Sequence, residues 1–89
     1  MITLKEAIQL VQLTDDEAVI LQNSDKSIEG STYISVHEIR RRLDMQSIHI
    51  NHIDVDFSYS GEFLGFVFES KEFIPLSCHW GMHMMRRLV

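Results

Sequence analysis

A single cysteine among 89 residues means that no disulfide can close within the chain. Basic residues are also in short supply: Lys and Arg total 8 against 13 Asp and Glu, a net charge of −5. That balance argues against a general nucleic-acid binder. No uninterrupted apolar run approaches the length of a membrane span, and the first residues do not resemble a signal peptide. There is no Gly-rich phosphate loop, no GxSxG, and no nucleophile–His–acid pattern. Catalysis therefore has little support, and the expectation is a protein that is not an enzyme, uses no cofactor and resides in a reducing cytoplasm. What the chain does have is 45% apolar and 24% charged residues, close to the average for a folded domain. Its length fits one such domain.

The first turn carries a helix-start signal. Thr3 and Glu6 have capping-box spacing, and Leu4, Ala7, Ile8 and Val11 follow at i, i+3, i+4 and i+7. Leu10 and Leu13 widen this apolar stripe, and Thr14-Asp15-Asp16 ends it. Glu17 to Gln22 is short, apolar and partly β-branched, which predicts a strand. A polar loop runs from Asn23 to Ser31, and Thr32 to Ile34 adds a short strand. A second helix opens at Ser35 with Glu38 in capping-box position and Ile34 and Ile39 placed as a hydrophobic staple. Val36, Ile39 and Leu43 form its buried stripe. Arg40, Arg41 and Arg42 cover the remainder, with Asp44 expected to pair with Arg40 and Glu38 with Arg42.

Ile48 to Phe68 alternates strongly. Ile53, Val55, Phe57 and Tyr59 share one phase, whereas Ile48 and Ile50 have the other, so a β-bulge is expected near Asn51-His52. Ser60-Gly61 reads as a two-residue hairpin loop. That loop pairs Tyr59 with Glu62, Phe57 with Leu64, Val55 with Phe66 and Ile53 with Phe68, apolar against apolar on the core face. The opposite face then carries Asp54, Asp56, Phe63 and Val67.

The last nineteen residues differ in character. Residues 1–70 form the expected α+β body and residues 71–89 a tail of net charge +2 that holds Trp80, Cys78, Pro75 and three of the five Met. Pro75 interrupts any strand starting at Phe73, and Ser77 to Val89 has the composition of a short helix weakened by Gly81. Cys78, His79 and His83 lie within six residues, but a structural zinc site usually takes four ligands, so no metal site is expected. His49 and His52 flank the expected bulge, and Asp54 and Asp56 lie at i and i+2 on one strand face, the arrangement for cation binding or acid–base work. Without an activated nucleophile they read more simply as outward-facing strand residues.

These observations predict an α+β fold: a small antiparallel sheet of three to four strands packed with two helices, in the order α-β-(β)-α-β-β plus tail. The surplus of apolar residues points to protein binding, with partner contacts expected at Asp54, Asp56, Phe63, Val67, Phe73 and Trp80 and a homodimer as the simplest assembly. The tail is read as an intramolecular lid, as part of that interface, or as an appended extension without a role. In size, acidity and lack of a catalytic set, the chain is similar in general type to small accessory or inhibitor proteins of bacteria and their phages, such as anti-CRISPR proteins. That resemblance implies inhibition by surface occlusion. The alternative expectation is a nucleic-acid-associated regulator using Arg40, Arg41 and Arg42.

Overall fold

The computed structural model describes residues 1–75 and 85–87. The order of elements is β1 (Ile2–Thr3), α1 (Leu4–Leu10), β2 (Ala18–Asn23), β3 (Ser31–Ser35), α2 (Val36–Arg40), α3 (Leu43–Gln46), β4 (His49–Ile50), β5 (His52–Phe57), β6 (Phe63–Ser70), β7 (Phe73–Pro75) and β8 (Met85–Arg87). The fold is α+β, as the sequence predicts. Its main sheet has the order β3-β2-β6-β5, with β1–β4 and β7–β8 as two-stranded ribbons. The sheet is mixed rather than wholly antiparallel. Two antiparallel hairpins, β2–β3 and β5–β6, join through a parallel ladder in which Val19 aligns with Phe66 and Leu21 with Phe68. Such a ladder requires a long crossover, here supplied by α2, α3 and β4.

One face of this sheet is buried. Val19, Leu21 and Phe68 are fully buried, and Leu4, Ala7, Val36, Ile39 and Met45 from the helical segments lie in the same cluster. The helices begin as expected. Thr3 Oγ1 accepts from the Glu6 N–H at 3.2 Å while Glu6 Oε1 accepts from the Thr3 N–H at 2.8 Å, a complete capping box. Ser35 Oγ likewise accepts from the Glu38 N–H at 3.0 Å.

Both helices stop earlier than their apolar spacing suggests. At the end of α1, Gln12 adopts a left-handed φ of +56°. Its N–H reaches the Gln9 carbonyl at 3.1 Å, and the Leu13 N–H reaches that of Ile8 at 3.2 Å, which is the Schellman pattern. This turn buries Leu13 and leaves Leu10 68% exposed. In the second helical segment, Arg42 is extended (φ −124°, ψ 101°) and divides the expected helix into α2 and α3. Gln46 Nε2 donates to the Arg40 carbonyl at 2.8 Å, capping the shortened α2. The break turns Met45 into the core and leaves Leu43, expected inside, 79% exposed. It also rewrites the ion pairs: Arg40 pairs with Asp15, and Arg42 with Asp44 at 3.5 Å.

The β5–β6 hairpin keeps the expected register at Ile53–Phe68, Asp54–Val67, Val55–Phe66 and Asp56–Gly65. Beyond Asp56 it departs. The loop has three residues, Tyr59-Ser60-Gly61, closed by the Ser58 N–H on the Glu62 carbonyl at 2.8 Å. Gly61 takes φ +88°, a region where a side chain would be strained. The extra loop residue displaces the pairing, so Phe57 faces Phe63 and Leu64 is bulged out. At the other end, the Asn51 N–H bonds the Glu69 carbonyl at 2.7 Å while His52 aligns with Glu69. Two residues thus oppose one, a bulge where the sequence places it.

Phe73 is fully buried, and its carbonyl accepts from Nδ2 of the buried Asn23 at 2.6 Å. The core therefore extends past residue 70. Pro75 ends β7 and stands against Gly30, which has φ +109° and where an added Cβ would lie 3.3 Å from the proline ring. Met85–Arg87, expected in a helix, is a strand paired with β7. The rest of that expected helix lies outside the described residues.

Phe68→Ala removes a fully buried ring at the centre of the sheet and is expected to destabilise by about 3–5 kcal/mol. Val55 shares its face but is 41% exposed, so Val55→Ala is expected to cost under about 1 kcal/mol. Urea midpoints at unchanged slope check the difference.

Candidate interaction surface

β6 has eight residues and its neighbour β2 has six. Because Val19 aligns with Phe66, the segment from Phe63 to Gly65 runs past the β2 ladder, and the β5–β6 hairpin continues as a two-stranded arm. The helices cover the sheet at Val19, Leu21 and Phe68 but leave the arm bare. Phe57 is 55% exposed and Phe63 53% exposed.

The arm's core-side face is aromatic. Phe57 and Phe63 meet edge to face with centroids 6.1 Å apart, Phe63 meets Phe66 at 5.3 Å, and Phe66 continues to the buried Phe68 at 6.4 Å. A continuous file of rings therefore leads from the core to the surface. Geometry of this kind adds stability beyond area burial and holds the exposed rings in place. Phe63 thus lies on the same face as the core, not opposite it as the two-residue loop implies; the bulge at Leu64 reverses its side.

The opposite face carries the acidic residues. Asp54 and Asp56 are exposed there, in rows with Val67 and Gly65. Asp54 Oδ1 also accepts from the Val55 N–H at 2.8 Å. Since β5 is an edge strand, this contact occupies a donor that would otherwise invite another strand. Val67 is half-buried beside Ile20. Further along, Glu69 is buried and accepts from Lys26 Nζ and Gln22 Nε2, both at 2.8 Å. The Lys26 hydrogen bond holds its carboxyl below the usual value of 4.5, against the opposing effect of burial.

The remaining sequence-predicted residues fall elsewhere. Phe73, expected at a partner contact, is fully buried in the core and has no surface to offer. Trp80 lies outside the described residues, as do Cys78, His79 and His83. Arg40 and Arg42 are held by Asp15 and Asp44, and the helix break at Arg42 separates them from a common face. His49 Nδ1 lies 3.1 Å from Glu72 Oε2, and His52 lies 3.9 Å from Asp54. Among the described residues, no three His, Cys, Asp or Glu side chains gather as a metal site. No helix among them is long and apolar enough to cross a membrane. The residues that sequence reasoning missed are Val55, Phe57 and Tyr59, assigned to the core by alternation but exposed on the edge strand, on the overhang and in the hairpin loop respectively.

Glu69 generates a pH prediction. Its folded pKa is depressed, so its contribution is present above the unfolded carboxylate value and is lost as pH falls through the folded value. Urea midpoints between neutral pH and pH about 3 are expected to fall less steeply below the ordinary carboxylate range for Glu69→Gln than for the unmodified chain. Comparison of the chain with protein-family models, curated proteins and solved structures finds no match.

Proposed function

We propose that this chain is a non-enzymatic protein-binding module that acts by covering a partner's surface. The observation that carries the reading is the bare aromatic face of the β5–β6 arm, where Phe57 and Phe63 remain more than half exposed although a file of rings fixes them to the core. Ordered, exposed aromatics on a rigid element are the type of anchor that dominates interface energetics. Asp54 and Asp56 on the other side of the arm add a negative field that favours a partner with basic residues around an apolar centre. The nucleic-acid reading through Arg40, Arg41 and Arg42 gains no support from the geometry, since two of the three face carboxylates.

The test is affinity capture from the native host with two baits, the unmodified chain and the double variant Phe57→Ser/Phe63→Ser. Both side chains are largely exposed, so the variant should retain its fold by circular dichroism and shift its thermal midpoint only modestly. The expected outcome is a stoichiometric protein retained by the first bait and lost from the second. Equal recovery on both folded baits overturns the assignment to the arm.

A further inference from the structure

We propose that the cavity between α1 and the α2–α3 segment binds a small organic carboxylate with a compact apolar body. The site shares no described residue with the β5–β6 arm and is independent of the protein-binding reading.

The cavity has a volume of about 260 Å³ and is lined by Lys5, Ile8, Gln9, Ile39, Arg40 and Gln46. Helical spacing builds it. Leu4, Ala7 and Ile8 are the buried residues of α1, while Lys5 and Gln9, at i and i+4, stand together on its flank. Ile39 comes from the buried side of α2. Ile8 and Ile39 are 2% and 0% exposed, so the floor is apolar. Gln46 Nε2 donates to the carbonyls of Ile39 at 3.3 Å and Arg40 at 2.8 Å. These are end groups of α2, and left bare they would oppose a negative ligand. An apolar floor with a few convergent polar groups is the usual form of a small-ligand site.

Charge selects the occupant. In a chain of net charge −5, the cavity wall carries Lys5 and Arg40 and, among the described residues, no carboxylate. The acids nearby are committed elsewhere: Glu6 Oε1 accepts from the Thr3 N–H at 2.8 Å, and Asp15 pairs with Arg40. Lys5 has no ion pair among the described residues. Asp15 offsets the charge of Arg40, so the net positive charge at the cavity is that of Lys5. A single charge matches a monoanion better than a phosphate, which carries nearly two. The carboxylate would take charge-assisted bonds from the Lys5 ammonium and from guanidinium donors that Asp15 does not use. The floor then calls for an apolar body. An apolar cavity of about 150 Å³ already holds benzene, so this one has room for a ring and its carboxylate.

Titration of the isotope-labelled full chain with benzoate at constant ionic strength, read by amide chemical shifts, tests this. Saturable shifts are expected, centred on residues 5–9 and 39–46. Benzamide has the ring without the charge and acetate the charge without the ring; each is expected to bind at least roughly threefold more weakly. Lys5→Glu reverses the free charge in the first turn of α1, where an acidic residue suits the helix, and is expected to abolish the saturable response. Lys71→Glu makes the same change in net charge away from the cavity and is expected to leave binding intact. No saturable shift at about 20 mM benzoate, weaker than any specific site of interest, overturns the proposal. So do shifts centred elsewhere, equal binding of benzamide or acetate, retention of binding in folded Lys5→Glu, or an equal loss in Lys71→Glu. Should Lys5→Glu fail to fold, Lys5→Gln serves in its place, with binding expected to weaken at least roughly threefold.

Discussion

Burial of the β2–β6 ladder under three short helical segments is the constraint on which the structure depends. α1, α2 and α3 have seven, five and four residues, well below the length at which a helix persists alone in water. Each exists because it lays a few apolar side chains on Val19, Leu21 and Phe68. The capping groups follow from the same need. With so few internal hydrogen bonds, a large share of each helix consists of unpaired end groups, and Thr3, Glu6, Ser35 and Gln46 satisfy several of them with side chains.

The same constraint explains the bare arm. Among the described residues, sixteen helical ones cover the middle of a four-stranded sheet, while β5 and β6 continue beyond them. The excess is not a random apolar surface. It is a continuation of the core's own aromatic file, with carboxylates confined to the reverse side. Its inner end is anchored in the core, and the Asp54 side chain occupies one backbone donor of its edge strand, that of Val55.

Much of the fold was legible in the residues. Alternation located β5 and β6 and most of their register, and the phase change at Asn51-His52 located a bulge. Cap spacing found both helix starts. What was not legible depended on contacts between distant segments. The parallel docking of the two hairpins leaves no local mark. Leu43 satisfies the helical period as well as Met45 does, and only the backbone break at Arg42, supported by Gln46 from the following segment, decides between them. The site was half legible for a related reason. Alternation assigned Val55 and Phe57 to the core face correctly, but whether a core face is covered depends on where the helices end. Phe63 changes side because one extra loop residue shifts its partner, and the bulge at Leu64 restores the expected register from Gly65 onward, whereas the burial of Phe73 comes from the distant Asn23 and the sheet.

The parallel seam between the two hairpins has a kinetic consequence. Each hairpin joins neighbours in the chain and can form in microseconds. Val19 and Phe66, which meet across the seam, are separated by about half the chain, and closing that loop costs entropy before any core contact rewards it. Assembly is therefore paced by docking, with two preformed ribbons waiting on the segment from Val36 to Ile50 to bring them together. Until that happens Leu21 and Phe68 stay wet, and the interval during which they do sets how long the newly made chain depends on dilution to avoid its own kind.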